Sequence, residues 1–181
     1  MALTQTTTLI TAFEVPPDAD ESFTAGWEQA RDGRATLHRA LREDADFRFV
    51  AVAQADAAAG PGAVGSFASH HGAYEVVRED RAPDGEGGVV LINPFEVPDG
   101  DDERFLSGWD AARDALVQQR GYLGTRLHRS VAPADFRFVN VARWSSPLMF
   151  ARALEQPAFR AAAQAIPFPA HPALYLVVAG A

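Results

Sequence analysis

An internal duplication constrains this chain more than any other feature. Residues 13–32 and 95–114 align without a gap, and twelve of the twenty positions are identical, where unrelated segments would share about one. The shared set includes Phe-Glu-Val-Pro, then Phe23 and Phe105, Gly26 and Gly108, Trp27 and Trp109, Arg31 and Arg113. Residues 46–53 return as residues 135–142 with one change, Asn140 for Ala51, and two positions further on Trp144 answers to Ala55. Leu37-His38-Arg39 matches Leu127-His128-Arg129, and His70 and Tyr74 match His171 and Tyr175. The 181 residues therefore read as two fused copies of a module of about 90 residues, each large enough for a core.

The second copy is the fuller one. Residues 89–97 form a β-branched, apolar run ended by Pro98, as strands often are. Acidic Asp99, Asp101, Asp102 and Glu103 suit a helix N-terminus, and Phe105, Trp109, Ala112 and Leu116 follow at helical spacing until Gly121. Residues 122–131 and 136–144 read as strands around a proline-containing turn. Ser146-Pro147 opens a second helix to about residue 165, broken at Pro157, and residues 173–178 close the module as a strand. The order β-α-β-β-α-β is the ferredoxin-like α+β arrangement.

The first copy is abridged. It lacks eight residues between Asp32 and Leu37, and residues 57–65 are too rich in glycine and proline for the second helix, so a helical turn or loop is expected there. The expected organisation is an abridged, non-catalytic module at 1–80, a linker at 81–88 and a complete module with a pocket at 89–181. Each sheet has one face covered by helices and one bare, so the two sheets should meet face to face as a pseudo-dimeric barrel within one chain. A further homodimer is left open.

Charge and composition narrow the function classes. A formal net charge of -8, with all 16 basic residues arginine and spread along the chain, argues against a nucleic-acid partner. The chain has no cysteine, hence no thiol nucleophile or thiolate metal site. The five histidines lack metal-ligand spacing with carboxylates, and the glycines at 85–88 do not join a strand to a helix as a dinucleotide fingerprint must. No leader or membrane-length apolar run is visible, so a cytoplasmic protein without membrane association is expected.

Candidate site residues come from the difference between the copies. Asn140 and Trp144 lie four apart on one face of a strand. Asparagine is depleted in strands and costs free energy when buried unpaired, and alanine at its place in the other copy shows that the fold does not require it. Asn93 also has no asparagine opposite, where the first copy has Thr11 and Ala12. His128 titrates near neutrality and suits a general base, although its twin His38 points to a structural role. Tyr175 and His171 have twins in Tyr74 and His70, which favours packing; Trp27 and Trp109 read as core. Arg126 and Arg143 could hold an anionic substrate oxygen.

Residues 92–97 (Ile-Asn-Pro-Phe-Glu-Val), 121–128 (Gly-Tyr-Leu-Gly-Thr-Arg-Leu-His), 138–144 (Phe-Val-Asn-Val-Ala-Arg-Trp) and 171–175 (His-Pro-Ala-Leu-Tyr) resemble the antibiotic biosynthesis monooxygenase family of dimeric α+β barrels. The resemblance implies a pocket between sheet and helices lined by Asn140 and Trp144, with His128 on the preceding strand; taken with the residue reading, the expected site has Asn140, Trp144 and His128 as catalytic residues and Asn93, Tyr122, Arg126, Phe150 and Tyr175 as substrate-binding ones. Phe150 stands where the resemblance implies a tyrosine. Heme degradation is disfavoured, because Ala153 and Ala163 occupy the positions where that branch has Trp and His. The resulting expectation is a cofactor-independent monooxygenase with no metal, oxidising an aromatic polyketide-type, anthrone-like intermediate with O2, once per chain. The alternatives are a cyclase or isomerase using the same pocket, or a non-catalytic binding protein should Asn140 and Trp144 be exposed without a cavity.

Overall fold

The computed structural model describes residues 7–30, 35–54, 64–81 and 87–180. Strand β1 (Thr8–Glu14) leads through a 3-10 turn (Pro17–Ala19) to α1 (Asp20–Ala30), β2 (Ala35–Ala40), β3 (Phe49–Gln54) and β4 (Ala68–Asp80). The second half repeats the order with β5 (Val89–Phe95), α2 (Asp102–Leu116), β6 (Tyr122–Ser130), β7 (Phe138–Trp144), α3 (Pro147–Leu154), α4 (Pro157–Gln164) and β8 (Ala173–Ala179). The expected break at Pro157 separates α3 from α4, and Ser146 caps α3 by accepting the Met149 backbone N–H at 3.2 Å. The glycine- and proline-rich stretch at 57–65 falls mostly on residues 55–63, outside the described residues, as do residues 82–86 of the expected linker.

Each half is a ferredoxin-like antiparallel sheet, ordered β4-β1-β3-β2 and β8-β5-β7-β6. The expectation of faces meeting needs an addition, because the edges pair as well: β2 bonds to β8 and β4 to β6, closing one ring of eight strands. Length makes this closure available. The 13 residues of β4 pair with β1 from Ala68 to Tyr74 and then with β6 from Tyr74 to Asp80. The far end of β4 thus belongs to the first half by sequence and to the second half by position.

Inside the ring, Ile10, Val50, Tyr74, Ile92, Val139 and Tyr175 form a common core. The two tyrosines reach across it. Tyr74 donates its hydroxyl to the carbonyl of Phe136 at 3.1 Å, and Tyr175 to that of Phe47 at 3.0 Å, so each half satisfies a turn carbonyl of the other. Outside the ring, the duplicated aromatic residues pack alike: Phe23 stacks on Phe49 with centroids 4.5 Å apart and Phe105 on Phe138 at 4.3 Å. Arg48–Asp20 and Arg137–Asp102, both at 2.6 Å, repeat one ion pair between a strand and a helix start. Among the described residues no helix is long and apolar enough to cross a membrane.

Candidate active site

Alternation along β7 decides which side chains can reach a ligand. Phe138, Asn140, Ala142 and Trp144 face the helices, while Val139 and Val141 face the barrel interior. Between that outer sheet face and α2, α3 and α4 lies a cavity of about 320 Å³ whose walls are largely apolar and aromatic. Asn140 is 8% exposed and Trp144 wholly buried, and both line the cavity. At the place equivalent to Asn140 in the first half, Ala51 packs with Phe23, Trp27 and Val64, while Ala55, the counterpart of Trp144, lies outside the described residues.

The polar groups in the wall are few. Asn93 stands directly across from Asn140 in the β5–β7 register, and both line the cavity. Thr125 donates its hydroxyl to Asn140 Oδ1 at 2.6 Å, an arrangement that leaves the Nδ2 hydrogens as the donors toward a ligand. Three other polar atoms of the wall are buried without a hydrogen-bond partner among the described residues: Asn93 Oδ1, Trp144 Nε1 and Arg113 Nε. Arg113 is anchored from outside, its Nη2 donating to Asp114 Oδ1 at 2.7 Å. The indole of Trp144 is held edge-on by Tyr122 and Phe150, with centroids at 5.5 and 5.4 Å.

Of the residues singled out in the sequence, Asn140, Trp144, Asn93, Tyr122 and Phe150 come together around this cavity, whereas His128, Arg126 and Tyr175 do not. His128 points to the other side of the sheet, where its Nδ1–H donates to the Val139 carbonyl at 3.1 Å; burial pushes its pKa down to about 4. Its twin His38 does the same with Val50 at 3.1 Å. Arg126 forms an ion pair with Glu79, and Tyr175 is fully buried in the barrel core.

One irregularity accounts for two of these displacements. Strict alternation from Tyr122 would place Arg126 and His128 on its face, but the β6–β7 register shifts between Tyr122 and Gly124. The bulge turns Thr125 and Leu127 toward the helices instead. Trp109, read from sequence as core alone, packs in the core and also lines the cavity.

Three contributors had no advance signal. Arg113 was hidden because the other copy also has arginine there, and Thr125 because the bulge sets its face. Asp80 was the third: it accepts the Tyr122 hydroxyl at 3.2 Å from the end of β4. Burial first, and the Asp80 charge second, hold the Tyr122 phenol well above its usual pKa. Among the described residues no group of three His, Asp or Glu side chains is placed to hold a metal ion.

Residues 88–165, which run from the start of β5 to the end of α4, match the family model described as antibiotic biosynthesis monooxygenase. A candidate monooxygenase from Shewanella loihica PV-4 is 39% identical, covering 52% of this chain and 99% of its own, with a TM-score of 0.46. SnoaB, a cofactor-independent oxygenase from Streptomyces nogalater, is 27% identical over 52% of this chain and 96% of its own, with a TM-score of 0.47. An anthrone oxidase-like protein shares the fold over 98% of this chain and 93% of its own, with a TM-score of 0.65 at 15% identity. No curated protein matches the chain. With its second half carrying the family's match and both halves closed into one ferredoxin-like barrel, the chain belongs to the antibiotic biosynthesis monooxygenase family.

Proposed function

We propose that the protein is a cofactor-independent oxygenase of a flat aromatic hydroxy-carbonyl compound, an anthrone-like intermediate of the polyketide type. The observation that carries this reading is the set of three unpaired polar atoms in an apolar cavity. Each costs about 1–3 kcal/mol while unsatisfied, and a ligand of complementary pattern removes that cost. Trp144 Nε1–H and Arg113 Nε–H call for a carbonyl or oxyanion, Asn93 Oδ1 for a hydroxyl. An enolised hydroxy-anthrone offers both, on a planar ring system suited to walls made of Trp109, Phe150 and Phe159.

The chemistry follows from the substrate. Loss of a proton from the methylene between two aryl rings gives a delocalised anion, which passes an electron to O2. Recombination forms a carbon–oxygen bond, and loss of water leaves a ketone: CH2 and O2 become C=O and H2O, the carbon supplying all the electrons that O2 takes up. The protein's part is to exclude water and to present donors where negative charge develops, each worth about 10²–10³ in rate when preorganised. Asn140 Nδ2, Trp144 Nε1 and Arg113 Nε are those donors.

Incubation with 1,8-dihydroxy-9-anthrone under isotopically labelled O2 tests this. One labelled oxygen should enter the product, and turnover should cease without O2. Product of unchanged mass formed anaerobically would instead make the protein a cyclase or isomerase, and binding without turnover would make it a carrier.

A further inference from the structure

The cavity described above has no obvious proton acceptor. Its lining contains no histidine, lysine, aspartate or glutamate, and Arg113 and Tyr122 are its titratable members. His128 is turned to the other side of the sheet with its Nδ1–H committed to Val139. Yet any reaction that begins with a substrate anion must first send a proton somewhere.

Tyr122 offers a route. Its ring lines the cavity, and its hydroxyl hydrogen is directed at Asp80 Oδ2, 3.2 Å away. Asp80 is half-buried, so it touches Tyr122 on one side and water on the other. It comes from the first half of the chain, carried there by the end of β4 and set opposite Thr125 in the β4–β6 register. Gly124 makes the close approach possible, since a Cβ at that position would lie 1.6 Å from the carbonyl oxygen of Arg81. The Arg81 guanidinium sits 5.9 Å from the Tyr122 ring centroid.

The pair is also confined to one half. Aligning Tyr74 with Tyr175 puts Ala181 at the place of Asp80, and residues 32–37, where the first copy is shortened, contain no tyrosine. Tyr122 and Asp80 therefore serve the same half that alone carries Asn140 and Trp144.

We infer that Tyr122 and Asp80 form the proton exit of the cavity, with the first half of the chain supplying the acceptor. The substrate's C–H or O–H proton passes to the Tyr122 oxygen as the phenol's own proton passes to Asp80 Oδ2. The products are a substrate anion, a neutral tyrosine and a neutral aspartic acid, which returns its proton to water; no electrons move. Tyr122 is a conduit and does not rest as phenolate, in keeping with its raised pKa. The inference rests on the cavity being where the substrate anion forms, and it does not require O2.

The test separates the two. In D2O without O2, the enzyme should speed exchange of the methylene hydrogens of 1,8-dihydroxy-9-anthrone, read by mass spectrometry. Asp80→Asn and Tyr122→Phe should each lower this enzyme-dependent rate by at least about tenfold, while Asp80→Glu keeps most of it and binding of the probe changes little. Thermal melting identifies any variant that has lost its fold, and Asp80→Glu against Asp80→Asn then decides. Exchange at the wild-type rate in both Asp80→Asn and Tyr122→Phe, or a wild-type enzyme no faster than buffer, overturns the inference. Exchange that depends on the pair, with no oxidation when O2 is admitted, upholds it and refutes the oxygenase reading; oxidation that ignores the pair does the reverse.

Discussion

Asn93 and Asn140 face each other across adjacent strands, yet one side-chain oxygen is engaged by Thr125 at 2.6 Å and the other is buried without a partner. A structural pair would satisfy both. Asn140→Ala reproduces what the chain already has at Ala51, so the melting temperature should shift by only a few degrees. Turnover of the anthrone should fall about 10²-fold with the donor gone, as followed by oxygen uptake. A collapsed melt with proportionate loss of activity would make Asn140 structural.

Trp144→Phe separates the indole N–H from the ring. The aromatic packing against Tyr122 and Phe150 is retained, and an unsatisfied buried donor is removed. Stability should hold or rise by about 1 kcal/mol while turnover drops, a pair of opposite signs readable from chemical denaturation and steady-state kinetics. A large loss of stability would show that the N–H has an essential structural partner.

Histidines should give the folded state an optimum in pH. His70 donates to Glu14 at 2.9 Å and Asp135 at 2.7 Å, and His171 to Asp46 and Glu96 at 2.7 Å each. Burial works against the charged ring, but these bonds outweigh it and raise both pKa values above the ordinary 6.5. Their stabilisation is complete below about pH 6.5 and fades as pH climbs through the raised values. His38 and His128 are buried neutral with pKa near 4. The unfolded chain takes up protons there between 6.5 and 4, so stability falls as the solution is acidified through that window. Melting temperature against pH should be a dome. His70→Gln with His171→Gln should flatten its alkaline side, and an unchanged alkaline side would refute the assignment.

Tyr74→Phe and Tyr175→Phe each unpair a turn carbonyl of the opposite half. About 1 kcal/mol is expected for each. Their denaturation free energies should add, because the two bonds share no partner. No change in either would mean that water takes over the carbonyl.

Gly124→Ala should part β4 from β6 locally, since the new methyl group meets the Arg81 backbone oxygen at 1.6 Å. A cost of about 1–3 kcal/mol is expected. The Tyr122–Asp80 hydrogen bond should lengthen with it, seen as slower anaerobic exchange; wild-type exchange and stability would show that the backbone yields freely.

Much of the fold was legible because the same sequence appears twice: element order and the burial of the duplicated Phe and Trp residues follow from periodicity read in two copies, while the helix break follows from Pro157 in the second copy alone. The same comparison exposed Asn140 and Trp144, since a scaffold residue need not differ between twins. It was silent on a cavity residue that both copies share, as with Arg113 and Arg31, because the unpaired Arg113 Nε is a property of tertiary surroundings. Alternation failed on β6 for a different reason. A single bulge between Tyr122 and Gly124 reverses the faces of everything after it, and no residue pattern in that segment announced the extra step. Asp80 was illegible because its role depends on β4 changing partners midway, a contact between halves that neither half encodes alone.

The closed ring has one more effect. A lone ferredoxin-like sheet ends in two strands whose unpaired N–H and C=O groups invite other chains to extend it. Here β2, β4, β6 and β8 spend those groups on one another. Among the described residues, closure therefore removes the open edges by which one such sheet could extend another.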